Sequence, residues 1–281
     1  MGAVPARIGV VGLGLVGSAL ARAARAVRPD VQVVAVEPRA EVRAQALAEG
    51  VVQAAAAAPD AALAGADLVF LCTPVAVIEA LLAPVSALLP DGAVLTDVGG
   101  AKERVVALAR ARVRPGVAFV GAHPMFGGHG GYAGGAAAAE RWRGGAVAVV
   151  TDAPGPAVDA VAAFHEALGA RIFRCTAAEH DAAVAMVSHL PYLVASALAL
   201  AAQEAGPLAR HLAGPGLQDM TRLAQFPFDV QGEASRRNVH VPEAARRLEG
   251  HLARILAAIQ DSPEAARSAL EAARAAREEL F

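Results

Sequence analysis

The chain has two cysteines in 281 residues, Cys72 and Cys175, with no Cys-x-x-Cys spacing and so no basis for a disulfide framework. Cys72 lies in the apolar run 68–72, where a buried free thiol is expected. Charged residues make up 19% and the formal net charge is −2. That excludes a strongly basic surface and, with it, nucleic acid as a partner. No cluster of residues has metal-ligand spacing, so no metal is expected. The N-terminal apolar run is broken by Gly12, Gly14 and Gly17 and has no cleavage region. It is not a signal peptide, which points to a cytoplasmic protein. One apolar stretch, 182–202, has the length of about 20 residues that spans a bilayer. Ser188, His189, Pro191 and Tyr192 near its middle would be costly in lipid. A helix buried all round, in a helical domain or a dimer interface, is expected instead of a membrane span.

What is abundant is alanine, which raises the hydrophobic share to 56%. It favours helix, and it also reflects a GC-rich genome. Up to residue 175 the pattern alternates. Strands are expected at 7–12, 31–36, 66–72, 92–98, 118–120, 146–151 and 171–175, separated by helical segments. Such alternation means a parallel, doubly wound sheet. From 177 onward there is no strand pattern, only apolar helical stretches at 178–204, 207–226 and 242–280. The expectation is a Rossmann-type dinucleotide-binding domain over 1–176, followed by an all-helical domain over 177–281. A helical domain this apolar is expected to dimerise.

The first strand runs directly into Gly12-Leu13-Gly14-Leu15-Val16-Gly17, then a helix, a second strand and Glu37, 20 residues after the last glycine. A lone glycine motif is weak evidence; in this context it is specific. Gly12 permits a tight turn, Gly14 lets backbone approach a pyrophosphate, and Gly17 lets the helix pack on the strand. The helix N-terminus offers free N–H groups to the phosphates. Glu37 can accept hydrogen bonds from a ribose, which favours NAD; Arg39 nearby keeps NADP as the lesser alternative. Thr73-Pro74, Asp97 and Gly99 fall at the carboxyl ends of later strands, where ligands of such folds bind.

Residues 121–128, Gly-Ala-His-Pro-Met-Phe-Gly-Gly, follow the strand at 118–120. His123 is thereby placed on the cofactor side, although a His beside a Pro is often only a turn residue. Six of the nine residues 127–135 are glycine, which reads as a flexible loop or lid.

Several short motifs occur in one order: the glycine turn, Asp97-Val98-Gly99-x-x-Lys102, His123-Pro124-Met125-Phe126-Gly127, Trp142-Arg143-Gly144, Glu179-His180-Asp181, Ser188-His189-Leu190-Pro191, Asp219-x-Thr221-Arg222 and Asn238. In this order, over nearly the whole chain, they resemble the prephenate and arogenate dehydrogenase family. The resemblance implies an NAD-dependent oxidative decarboxylation of a cyclohexadienyl substrate. Hydride leaves C4, the C4 hydroxyl loses its proton and the ring carboxylate leaves as CO2. His123 matches the catalytic base, whose ordinary imidazole pKa suits that task. Arg222 matches the arginine that holds the substrate side-chain carboxylate. Asp219, three residues earlier, orients it or faces the substrate side chain. The resemblance also implies a homodimer through the helical domain.

This chain departs from the family pattern in places. Gly100 stands where a serine is usual, Tyr192 where prephenate-using members often carry a second histidine, and a tryptophan expected after Arg222 is missing. His129 and Tyr132 are added polar candidates in the glycine-rich loop. Ser188, Tyr192, His129 and Gly100 therefore join the expected substrate-binding set, and His189 is a second catalytic candidate beside the bland alternative of a buried helix histidine. His180 is expected to cap a helix. Lys102 is left between the cofactor and a helix C-terminus, and Arg236 and Arg237 on a solvated face. Besides prephenate or arogenate, the missing serine admits 4-amino-4-deoxyprephenate as substrate. A catalytically degenerate NAD-binding sensor is the alternative from outside the enzymes. No appended sensing domain is expected after the last helix, and so no allosteric control through one.

Overall fold

The computed structural model describes residues 4–126 and 131–281. Strands β1 (Arg7–Val11), β2 (Gln32–Val36), β3 (Ala54–Ala56), β4 (Leu68–Leu71), β5 (Val94–Asp97), β6 (Ala118–Pro124), β7 (Ala146–Val150) and β8 (Arg171–Cys175) form one sheet in the order 3-2-1-4-5-6-7-8. Helices α1 (Leu15–Val27), α2 (Ala40–Ala48), α3 (Val75–Ser86), α4 (Glu103–Arg112) and α5 (Pro156–Ala167) connect the strands. The first six positions reproduce the dinucleotide-binding order, with its switch point between β1 and β4.

Successive residues of the central strands point to opposite faces. Ile8, Val10, Val33, Leu68 and Phe70 join one core with Leu20, Trp142 and Phe164. Val11, Val34, Val69 and Leu71 join the other with Ile78, Leu82, Leu95 and Val105. Both faces are covered, which is why these strands read as continuous apolar runs rather than alternating ones.

Two details differ from expectation. The sheet is not wholly parallel, because β7 runs antiparallel to β6. That pairing extends β6 through His123, opposite Ala148, so the histidine lies on a strand rather than in a loop. The added strand β3 is pure alanine, a composition that favours helix, yet it pairs with β2 at the sheet edge.

Beyond β8 the chain is helical. Helix α6 (Ala177–Val184) starts with a capping box between Thr176 and Glu179. A π turn (Ala185–His189) leads into α7 (Leu190–Glu204), with Leu190 N–H donating to Ala185 O five residues back. Helices α8 (Pro207–Leu212) and α9 (Pro215–Thr221), a 3-10 turn (Arg222–Gln225), a second π turn (Phe228–Gly232) and α10 (Glu233–Arg237) follow. Then come α11 (Val241–Asp261) and α12 (Pro263–Leu280), separated where Ser262 caps α12. The change from strand to helix falls at Thr176. By packing, however, the compact units are Met1–Asn238 and Val239–Phe281, so α6 to α10 belong with the sheet.

The apolar segment Ala177–Glu204 is not buried all round. Only 28% of its most apolar window is covered within the single chain. Leu193 and Leu200 are exposed on α7, as are Leu252, Leu256 and Ile259 on α11.

Candidate active site

The glycine turn has the geometry that each of its residues requires. Gly12 has φ +96°, and a Cβ there would stand 2.7 Å from the Cys72 carbonyl oxygen. A Cβ at Gly17 would overlap Gly12 O, so helix and strand can meet this closely only without one. At Gly14 nothing lies within 4 Å, which leaves its backbone facing open space before α1. Leu13 is buried, while Leu15 and Val16 are half-buried on the helix side. Thr73 is partly buried at the end of β4 and its hydroxyl has no partner among the described residues; Pro74 is exposed and precedes α3.

Glu37 is 2% exposed at the end of β2. Its Oε2 accepts from Leu13 N–H at 2.9 Å, and Arg39 grips both oxygens, Nε to Oε1 at 2.7 Å and Nη2 to Oε2 at 3.0 Å. Burial pushes the carboxyl pKa up, but the Arg39 fork and the backbone N–H groups of Arg39 and Leu13 outweigh it and hold it below the usual value. The Gly14 backbone is thus left open, and Glu37 stays buried and ionised at the end of β2.

At the carboxyl edge of β5 and β6 the chain buries a network of charged and imidazole groups. Lys102 is the only lysine in the sequence. It is fully buried, and its Nζ donates to Asp97 Oδ2 at 2.5 Å. The same oxygen accepts from Gly99 N–H at 2.9 Å. Asp97 thus faces inward and fixes the loop at Gly99, and Lys102 meets neither a helix C-terminus nor solvent. Burial lowers the lysine pKa, with Asp97 and Asp181 opposing the shift. Gly121 is needed for this arrangement, because a Cβ there would press to 3.3 Å on Lys102 Cδ.

Helix α4 has no cap from its own sequence. Asp181, far along the chain on α6, supplies one: Oδ1 accepts from Lys102 N–H at 2.8 Å and Oδ2 from Glu103 N–H at 2.9 Å. Asp181 Oδ1 also meets His180 Nδ1 at 2.7 Å, and His180 Nε2 meets His123 Nδ1 at 2.9 Å. His180 is therefore not a helix cap; Thr176 and Glu179 perform that task. Burial, then the neighbouring His180, Lys102 and His189, push the His123 pKa well below that of an ordinary imidazole. The ring is neutral near pH 7, and its Nε2 has no partner among the described residues.

His189 is buried, with Nδ1 3.1 Å from Asn238 Nδ2; the same amide nitrogen donates to Asp181 O at 2.7 Å. Burial pushes its pKa down to about 4, partly opposed by Asp181 and by a hydrogen bond with the Gly100 backbone. The catalytic expectation for His189 meets a ring whose nitrogens are already engaged. Gly100 lies between the two imidazoles. A Cβ there would stand 3.7 Å from His123 Cε1, 3.7 Å from His189 Nε2 and 3.3 Å from Ala234 Cβ.

The motif after His123 is anchored from below. Phe126 meets Trp142 edge-on with centroids 4.6 Å apart, and Trp142 stacks on His165 at 5.0 Å. Gly145 leaves room for the Phe126 ring. His129 lies outside the described residues. The Tyr132 hydroxyl donates to Glu49 at 2.9 Å and accepts from Arg22 at 2.8 Å, while Ala133 N–H donates to Ser18 Oγ.

The π turn before Pro191 sets Ser188 against Gln231, which donates to both Ser188 O and Oγ at 3.2 and 3.0 Å. Tyr192 is half-buried one turn on. Arg222 and Asp219 are exposed and make no hydrogen bond or ion pair with the imidazole network. Arg237, expected on a solvated face, instead pairs with Glu79 at 2.9 Å, and its side chain is 10% exposed.

A doubly wound sheet with an open glycine cradle and an imidazole at its carboxyl edge has the build of a nucleotide-binding domain. The prephenate dehydrogenase nucleotide-binding domain pattern matches residues 20–174, and the prephenate dehydrogenase dimerization domain pattern matches 176–273. The chain belongs to the prephenate dehydrogenase family. It is 31% identical over 225 residues to a prephenate dehydrogenase of Lactococcus lactis, a match covering 78% of this chain but 61% of that protein. The chain thus spans less than two thirds of that relative's length. Synechocystis arogenate dehydrogenase superposes with TM-score 0.80 at 27% identity, over 98% of this chain and 100% of the other. The A. aeolicus prephenate dehydrogenase, in complex with hydroxyphenyl propionate and NAD+, shares the fold with TM-score 0.90 at 22% identity, over 99% of both chains.

Proposed function

We propose that the protein is a soluble, cytoplasmic, NAD-dependent dehydrogenase that oxidatively decarboxylates a prephenate-like cyclohexadienyl acid, prephenate or arogenate. The observation that carries this reading is His123, held neutral and with Nε2 unpartnered among the described residues, at the carboxyl end of a strand in the same sheet whose β1 leads into the glycine cradle. In the reaction, His123 Nε2 takes the C4 hydroxyl proton as hydride departs from C4, and the ring carboxylate leaves as CO2. Aromatisation makes this downhill, so the protein chiefly orients substrate and manages one proton. Bound NAD supplies the hydride acceptor.

The cradle residues Gly12, Leu13, Gly14, Leu15, Val16 and Gly17, with Thr73, Pro74 and the Gly99 loop, are assigned to the dinucleotide, and Glu37 to its ribose. We assign Asp97 to shaping that loop through Lys102 and Gly99. Arg222 is assigned to the substrate side-chain carboxylate, with Asp219 beside it, and Ser188 and Tyr192 to the pocket wall. We assign His189, through Gly100 and Asn238, to holding the loop rather than to proton transfer. The division at 176/177 into a dinucleotide-binding part and a helical part follows the same reading, as does a homodimer that covers the exposed apolar helices. A dimer interface accounts for the apolar face of Ala177–Glu204 without a membrane.

A second substrate is favoured by one observation. The space at Gly100 holds no hydroxyl between His123 and His189, which suits an amino group at C4, as in 4-amino-4-deoxyprephenate. Comparing kcat/KM for prephenate, arogenate and the amino analogue tests both readings. NADH formation with a cyclohexadienyl acid supports the enzyme, and the substrate with the highest kcat/KM identifies the group at C4.

A further inference from the structure

We propose that His180 and Asp181 are positioning residues that fix the tautomer of His123, leaving its Nε2 lone pair as the one that meets the substrate. The proposal rests on the reading of His123 as the base and adds what prepares it.

The protons along the Asp181–His180–His123 chain are fixed by which atoms can donate. Asp181 accepts two backbone N–H groups at the start of α4, from Lys102 and Glu103. These donors favour the ionised carboxylate; although burial works against it, the Asp181 pKa is held below its usual value. An ionised carboxylate only accepts, so the 2.7 Å contact requires the proton on His180 Nδ1. With a single proton on the His180 ring, its other nitrogen is then an acceptor. The 2.9 Å contact between His180 Nε2 and His123 Nδ1 in turn requires the proton on His123 Nδ1. His123 Nε2 is left unprotonated. When it takes a proton, the Nδ1–H of the imidazolium points at His180 Nε2, with the Asp181 carboxylate behind it. An orienting carboxylate acting through hydrogen bonds is a general device for a histidine base.

Burial, then His180, Lys102 and His189, disfavour a positive His123, so the contact with His180 selects the nitrogen that carries the proton and does not strengthen the base. Asp97, the remaining nearby carboxylate, is taken by Lys102. Gly100 supplies no hydroxyl to orient the ring. His180 is the only side chain hydrogen-bonded to His123 among the described residues, and it is almost fully buried.

The test combines nitrogen-15 NMR of histidine-labelled protein with kinetics. The His123 signals are assigned by their loss in His123→Asn. In the wild type at neutral pH, His123 is expected as the Nδ1–H tautomer; the Nε2–H tautomer would overturn the proposal. His180→Phe should remove the preference and lower kcat about 100-fold, the order contributed by general base catalysis, with the KM for NAD nearly unchanged. His180→Gln, whose carbonyl oxygen can accept from His123 Nδ1, should recover part of the loss. A folded, NAD-binding His180→Phe with wild-type kcat and tautomer would also overturn it. If the wild type turns over no cyclohexadienyl acid, the functional reading fails, and the tautomer measurement still decides the proposal.

Discussion

Gly100 lies between His123 and His189 such that a Cβ on it would stand 3.7 Å from a ring atom of each. A Cβ there would make ordinary contact with both imidazoles and be tight only against Ala234, at 3.3 Å. Gly100→Ser should fold, with Ala234 yielding by a few tenths of an ångström, and would place a hydroxyl beside His123. We expect it to raise kcat/KM for substrates with oxygen at C4 relative to the 4-amino analogue. Parallel kinetics on both substrates would check this, and an unchanged ratio would remove Gly100 from the specificity of the site.

The ribose end of the cradle makes a second prediction. Arg39 is held by Glu37 through both carboxylate oxygens. Glu37→Ser would release the guanidinium and remove the negative charge that a 2′-phosphate would meet. The ratio of kcat/KM for NADP over NAD should rise by roughly 10- to 100-fold, as expected when a free arginine fork replaces an acid at this position. Steady-state kinetics with both cofactors measures it.

Arg222 has no ion-pair partner among the described residues and is exposed. Its replacement should therefore leave stability almost unchanged, within about 0.5 kcal/mol. Arg222→Lys should still raise the substrate KM markedly, by about 10- to 100-fold, because a single ammonium cannot form the bidentate pair. Melting temperature and KM, measured on one preparation, separate the two effects. A large drop in stability would mean that the arginine holds the fold instead.

His165 carries no catalytic role and has a clear pH signature. Both ring nitrogens are buried without partners among the described residues, between Trp142, Phe70 and Phe164. Burial pushes its pKa down to about 3. The folded pKa lies below the unfolded one, so the unfolded chain binds the extra proton and stability falls as pH drops below about 6.5. Between neutral pH and about pH 5 this costs roughly 2 kcal/mol. His165→Phe keeps the aromatic packing and should flatten that acid slope in denaturant titrations; an unaltered slope would show that the ring is protonated in the fold.

Much of this was legible in the sequence. The glycine turn, the alternation of strands and helices, and the order of the motifs carried the fold and the family because each depends on local geometry. Strand β3 was hidden by its alanines, whose helical preference is overruled by pairing with β2. The antiparallel turn of β7 was hidden because a strand's direction leaves no mark on its own composition. His180 was misread as a cap because its partner, His123, lies 57 residues away in the chain. A usable signal was present: Glu179 already completed the capping box with Thr176, which left the adjacent histidine without a local task. Lys102, the only lysine beside many arginines, was another position that stood out in the composition.

The central claim is that His123 accepts a proton while a cyclohexadienyl substrate gives hydride to NAD. The most direct measurement is NADH formation by the wild type and His123→Asn with prephenate, arogenate and the amino analogue, alongside NAD binding by both proteins. The account predicts turnover of at least one substrate by the wild type and a loss of at least about 100-fold in kcat for His123→Asn, with NAD affinity retained. Equal turnover by His123→Asn, or NAD binding without turnover of any of the three, would contradict it.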